Sequence, residues 1–239
     1  MEIYRGALNG SPDDRNIVLR VIGKRAQSVD CLSVFLTRPE GLSFEAGDWL
    51  DIRFLAPELA VGRTYSFASA PTEPDLQIVF RRGRTAFKRR LEAVVTGETL
   101  LVTQYGSNGF LLDRQLPAVF LAGAIGIAPF RSMIKDAIDH RANVPITVIH
   151  VNRTDDAPFR EELLGWRDEH VKLDVHHITS ATRGRLTADE LRRLIPGVPQ
   201  TDAVCYVAGP PGFVAATADL LARLGVEREA IKTDSFTGY

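Results

Sequence analysis

The chain has 239 residues, with Lys+Arg 29 against Asp+Glu 30 and a formal net charge of -1. That length exceeds the roughly 100–150 residues of a common single domain, and 45% hydrophobic residues supply enough apolar material for two cores. The even charge balance excludes a global basic field for nucleic acid and an acidic disordered chain, and no run approaches the ~20 apolar residues of a membrane span.

Up to about Leu112, short alternating or β-branched runs follow one another with turn residues between them, the pattern of an antiparallel sheet or barrel. Strands are expected at Ile17–Lys24, Cys31–Thr37, Trp49–Phe54, Thr64–Ala68, Leu76–Phe80 and Thr99–Thr103, with one short helix at Ala86–Val94. After Pro117 the strands become continuous apolar runs: Ala118–Ala122, Ile146–Val151, Val171–Ile178 and Ala203–Val207. Such runs suit strands buried on both faces. The amphipathic segments Pro129–Arg141, Phe159–Glu169, Ala188–Leu194 and Pro211–Leu224 supply the crossovers of a doubly wound, Rossmann-like parallel sheet. The boundary is expected near Asp113, giving domains 1–113 and 114–239.

The residues before Gly6 lack a basic stretch followed by an apolar one, so an unprocessed cytoplasmic protein is expected. Cys31 and Cys205 each sit inside an apolar run, which favours buried free thiols over a disulfide. Two thiols cannot supply the four ligands of a plant-type iron–sulfur cluster, so any such centre would lie on another protein. His140, His150, His170, His176 and His177 show no metal spacing with cysteine, and no metal is expected. Adjacent on a strand, His176 and His177 must face opposite ways.

Three segments carry chemistry. In Arg63-Thr64-Tyr65-Ser66-Phe67 alternation puts Arg63, Tyr65 and Phe67 on one strand face, so a ring and a guanidinium could meet a flat ligand bearing a phosphate. Ordinary strand packing gives the same pattern. Gly123-Ala124-Ile125-Gly126-Ile127-Ala128-Pro129 follows a buried strand and opens a helix, where backbone N–H groups and the helix terminus suit a diphosphate. A tight connection without ligand reads alike. Gly209-Pro210-Pro211-Gly212 follows a later strand on the same sheet edge, so both turns are expected to face one crevice.

In this order the segments resemble the ferredoxin–NADP reductase superfamily over nearly the whole chain. Arg63-Thr64-Tyr65-Ser66 matches its flavin motif, Gly123 to Pro129 its nicotinamide-nucleotide turn, and Gly209-Pro210-Pro211 its Cys-Gly-Pro-Pro signature. The resemblance implies an FAD-binding β-barrel followed by an NAD(P)-binding α/β domain. Tyr65 would stack on the isoalloxazine, Thr64 would lie in the same motif, Ser66 would lie near the reactive N5, and Arg63 with Thr85 would hold the flavin phosphates. Gly123, Gly126 and Pro129 would carry the nucleotide diphosphate, and Gly209 with Pro210 would line the nicotinamide pocket. Tyr239, ending Phe236-Thr237-Gly238-Tyr239, looks like the terminal aromatic that covers the flavin in many members.

Departures from the family pattern are Ala208 at the usual Cys, Ala124 at a frequent second Gly, and Gln104-Tyr105-Gly106 where a Gly-Pro bend is common. Arg153 and Arg185 resemble ligands of a 2′-phosphate, so NADP(H) is the expected nucleotide, with NAD(H) left open. The implied activity is hydride transfer from NAD(P)H to FAD, then electron transfer to a separate ferredoxin, flavodoxin or oxygenase component. The alternative is a flavin-binding subunit or redox sensor with impaired hydride transfer, which Ala208 keeps open. The basic run Arg81 to Arg90 is either a solvated helix face or a dock for an acidic carrier.

Overall fold

The computed structural model describes residues 17–56, 59, 61–198 and 202–236. Its first half is a curled six-stranded antiparallel sheet in the order β4-β3-β6-β1-β2-β5. The strands are β1 (Ile17–Ser28), β2 (Cys31–Leu36), β3 (Trp49–Arg53), β4 (Arg63–Ser66), β5 (Leu76–Arg81) and β6 (Thr99–Gly106). Alternation along β1 and β3 buries Leu19, Val21, Leu50 and Ile52 completely or nearly so, which fixes the register of each strand against the core. The sheet curls until its edges meet. Just past β4, Ala68 donates its N–H to the Gln77 carbonyl on β5 at 2.7 Å, and Gln77 N–H returns to Ser69 Oγ at 2.9 Å. Helix α1 (Ala86–Ala93) lies between β5 and β6 and buries Phe87 and Leu91.

The second half is a five-stranded parallel sheet ordered β11-β10-β7-β8-β9. It comprises β7 (Ala118–Gly123), β8 (Ile146–Asn152), β9 (Leu173–Thr179), β10 (Val204–Gly209) and β11 (Ile231–Ser235). One face packs α2 (Ile127–Asp139) and α3 (Arg160–Glu169); the other packs α5 (Ala188–Leu194) and α6 (Pro211–Arg223), with the single turn α4 (Ser180–Arg183) after β9. The inner strands β7, β8 and β10 are therefore covered on both sides, as their continuous apolar sequences require, whereas the edge strand β9 is only partly buried. The expected helices recur within a few residues, whereas β11 is absent from the strands that periodicity predicts. Its sequence, Ile-Lys-Thr-Asp-Ser, is short and polar because it is the edge of the sheet and only half-buried.

One core joins the two sheets. Phe120 and Phe130 stack at 4.6 Å, and Phe110, in the segment after β6, meets both Phe130 and Tyr206. The buried Tyr206 hydroxyl donates to the Leu111 carbonyl at 3.0 Å and accepts the Asp113 N–H at 2.8 Å, pinning the chain between the sheets. No helix among the described residues is long and apolar enough to cross a membrane.

Candidate functional site

A cleft of about 560 Å³ opens where the curled sheet meets the carboxyl ends of the parallel strands. Arg63, Thr64, Tyr65 and Ser66 of β4 form one wall, with Thr85, Phe87 and Lys88 of α1 beside them. Opposite stand Ile125 and Ala128 of the β7–α2 turn, and Asp234, Ser235 and Phe236 at the end of β11. Two units thus contribute to one cavity of the size that cofactor sites commonly have.

The β4 wall combines a ring platform with cationic and hydrogen-bonding groups. Tyr65 is half-buried, and burial pushes its phenol above the ordinary range, so it stays neutral. Phe67 does not share this open face: β4 ends at Ser66, and Phe67 turns wholly into the core, stacked on Phe44 at 4.0 Å. Arg63 is exposed, donates to the Gly62 carbonyl at 2.9 Å and lies over the Phe87 ring. Behind it Asp51 faces Gly62 so closely that a Cβ there would fall 2.0 Å from Asp51 Oδ1. Burial raises the Asp51 pKa, and Arg63 opposes that rise. Thr85 caps α1, its hydroxyl accepting the Lys88 N–H at 3.3 Å, so a hydroxyl and a helix N-terminus converge on the cleft.

The two glycine-rich turns touch each other. A Cβ at Gly126 would lie 2.2 Å from the Ala208 carbonyl oxygen, and one at Gly209, which has φ +146°, would lie 2.8 Å from the Gly123 oxygen. Only glycine permits this approach, which brings the ends of β7 and β10 into contact. Gly123, Gly126, Gly209 and Pro210 are not among the residues that line the cleft, and Pro129 is buried in the first turn of α2. Ala208, at the family's usual Cys, is fully buried and pairs in register with Asp234.

Asp234 and Phe236 are the residues that sequence reasoning does not assign to the site. Burial raises the Asp234 carboxyl to about 6. Phe236 donates its backbone N–H to the Gly209 carbonyl at 2.9 Å, which ties the ring to the Gly-Pro-Pro turn. Tyr239 lies outside the described residues, as do Thr237 and Gly238.

Arg153 and Arg185 are both exposed near the carboxyl ends of β8 and β9. The chain after β8 meets α4, the turn that precedes Arg185, since Ala181 N–H reaches the Arg153 carbonyl at 3.1 Å and Ser180 Oγ the Asn152 carbonyl at 3.0 Å. Much of the basic run is neutralised locally, with Arg81 on Asp30, Arg82 on Glu92 and Arg90 on Glu98. Arg84 and Arg89 remain exposed. Cys31 and Cys205 are buried free thiols, and burial raises both far above the range of a reactive cysteine.

Residues 120–219 match the family model described as the oxidoreductase NAD-binding domain. A flavohemoprotein of Deinococcus radiodurans is 27% identical over 241 residues, covering 91% of this chain and 58% of that protein. The ferredoxin reductase component of 3-ketosteroid-9-alpha-monooxygenase from Mycobacterium tuberculosis is 26% identical over 207 residues, covering 83% of this chain and 56% of that one. This chain therefore spans somewhat more than half the length of these curated relatives. Among solved structures, a ferredoxin NADP+ reductase from Neisseria gonorrhoeae with bound FAD and NADP superposes with a TM-score of 0.81 at 17% identity, covering 93% of this chain and 99% of that chain. The chain has the two-sheet fold of the ferredoxin–NADP reductase superfamily of FAD/NAD-binding oxidoreductases.

Proposed function

We propose that the protein is an NAD(P)H-dependent flavoprotein reductase, with residues 1–113 forming an FAD-binding domain and 114–239 an NAD(P)-binding domain. The observation that carries this reading is the single cleft in which Tyr65 and Ser66 face the β7–α2 turn and the end of β11. A flavin bound there would accept a hydride as an electron pair and release electrons singly.

The chain's own residues fit that group. Tyr65 offers a neutral ring platform, Ser66 a hydroxyl beside it, and Arg63 with the Thr85-capped helix start binds phosphate oxygens. Thr64, between them on β4, completes the wall. Gly123, Gly126 and Pro129 shape the turn that receives the nucleotide diphosphate, while Gly209 and Pro210 set the floor on which the nicotinamide is oriented. Orientation of two rings is most of what hydride transfer asks of a protein, so Ala208 in place of Cys slows the step without abolishing it.

Arg153 and Arg185 bind a 2′-phosphate, which makes NADPH the preferred donor. The acceptor is a separate one-electron carrier, such as a ferredoxin, a flavodoxin or an oxygenase component, and the relatives named as a reductase component support that class of partner. Exposed Arg84 and Arg89, near the cleft, suit an acidic surface on it.

Anaerobic mixing of the flavin-loaded protein with NADPH tests the reading. Rapid loss of the flavin absorbance is expected. No loss with either NADPH or NADH would overturn it and favour a binding subunit.

A further inference from the structure

We infer that His150 is a positioning residue for the nucleotide turn, its imidazole holding Ala124 in the left-handed conformation from which α2 begins. The inference rests on the nucleotide site proposed above and names a residue that supports it from beneath.

Ala124 has φ 50°, a conformation that glycine adopts freely and alanine only under strain. A non-glycine residue held at this φ needs support from its surroundings. On either side contact supplies it: a Cβ at Gly123 would meet the Phe213 ring at 2.6 Å, and Gly126 packs on Ala208. Between them the Ala124 carbonyl is held by a hydrogen bond. His150 Nε2 lies 2.9 Å from it, and the Ile127 N–H donates to the same oxygen.

The tautomer follows from the partner. A carbonyl oxygen only accepts, so Nε2 carries the hydrogen and Nδ1 is bare; Nδ1 has no partner among the described residues. His150 is fully buried on β8, and its ring lies 5.4 Å from that of His177. Burial, with His177 and Arg160 acting the same way against the Ala124 bond, pushes its pKa down to about 3. The ring is therefore a neutral, single-proton donor aimed at one acceptor in a dry site, where a hydrogen bond is strongest.

Two readouts test this without depending on each other. In the nucleotide-free protein, hydrogen exchange of the peptide spanning residues 122–130 should rise about tenfold in His150→Leu and return close to wild type in His150→Gln, whose amide N–H reaches a similar position. The NADPH dissociation constant should rise about tenfold in His150→Leu, while the hydride-transfer rate at saturating NADPH changes less than about threefold. In an Ala124→Gly background, where the turn no longer needs support, the same His150→Leu change should cost less than about threefold. If His150→Leu fails to fold, His150→Phe keeps the ring and removes the donor. Unchanged exchange, a loss that Gln does not rescue, or an equal loss in the Ala124→Gly background would overturn the inference. A wild-type protein that binds neither nucleotide would overturn the functional proposal instead, and exchange would still decide the role of His150.

Discussion

The guanidinium of Arg131 on α2 reaches across to Glu73, in the loop before β5, and binds both of its carboxylate oxygens. It is 5% exposed, also donates to the Ala68 carbonyl at 3.0 Å, and takes Glu162 of α3 at 2.6 Å. The Phe159 and Trp166 rings flank it. One side chain therefore ties the curled sheet to the parallel-sheet layer behind the cleft. Breaking a buried pair by removing one partner is costly, because the remaining groups stay desolvated. Arg131→Met is expected to lower stability by about 3 kcal/mol in thermal or denaturant unfolding. Glu73 and Glu162 are partly exposed and regain water, which keeps the loss from being larger. A loss below about 0.5 kcal/mol would show that the latch contributes little.

Asp234 gives a pH dependence with a definite sign. Burial raises its carboxyl from 3.8 to about 6, so the folded protein prefers the neutral form. Its penalty is absent below the ordinary carboxylate range and complete above about 6. Relative to Asp234→Asn, the wild type should therefore lose stability between about pH 4 and pH 6, by on the order of 2 kcal/mol, and run parallel at higher pH. Melting temperatures of both proteins from about pH 4 to pH 8 measure this. A constant difference would place no titration at Asp234.

Arg153 and Arg185 predict a nucleotide preference. Replacing either with Ala should weaken NADPH by about one to two decades while leaving NADH nearly unchanged, since charge-assisted phosphate contacts are worth roughly 1.5–3 kcal/mol each. Equal losses for the two nucleotides in equilibrium titrations would assign these exposed side chains another role.

Most of the fold can be read from residue periodicity. Continuous apolar runs such as Ala118–Ala122 report burial on two faces, and alternation in β1 and β3 reports burial on one. The contact between the two turns is legible where backbone geometry demands particular residues, as at Gly126 and Gly209, whose missing Cβ atoms let the turns touch. The site is not legible where tertiary context decides. β11 carries no apolar run because only β10 flanks it, so Asp234 and Phe236 cannot be placed beside Tyr65 from sequence. Phe67 likewise departs from its expected face because β4 ends at Ser66, two residues before the expected Ala68. His150 looks like one more strand residue, and only the strained Ala124 carbonyl above it gives it a task.

Sequence resemblance points to Tyr239 as the ring that covers the flavin, yet Phe236 lines the cleft with Tyr65 and is fastened through its N–H to Gly209. With a flavin stacked on Tyr65, a ring in that position would have to move before a nicotinamide could stack on the other flavin face, and would so trade nucleotide affinity against turnover. Phe236→Ala should therefore strengthen stacking, seen as a larger charge-transfer band on anaerobic mixing with NADPH, and should slow product release. Deleting Tyr239 alone should change the band less than Phe236→Ala does. Phe236→Tyr, which keeps an aromatic ring, should stay near wild type, and that separates ring coverage from any general loosening of β11. A band that grows only on deleting Tyr239 would assign the cover to the chain's last residue, and unchanged bands in all three variants would remove both rings from the site.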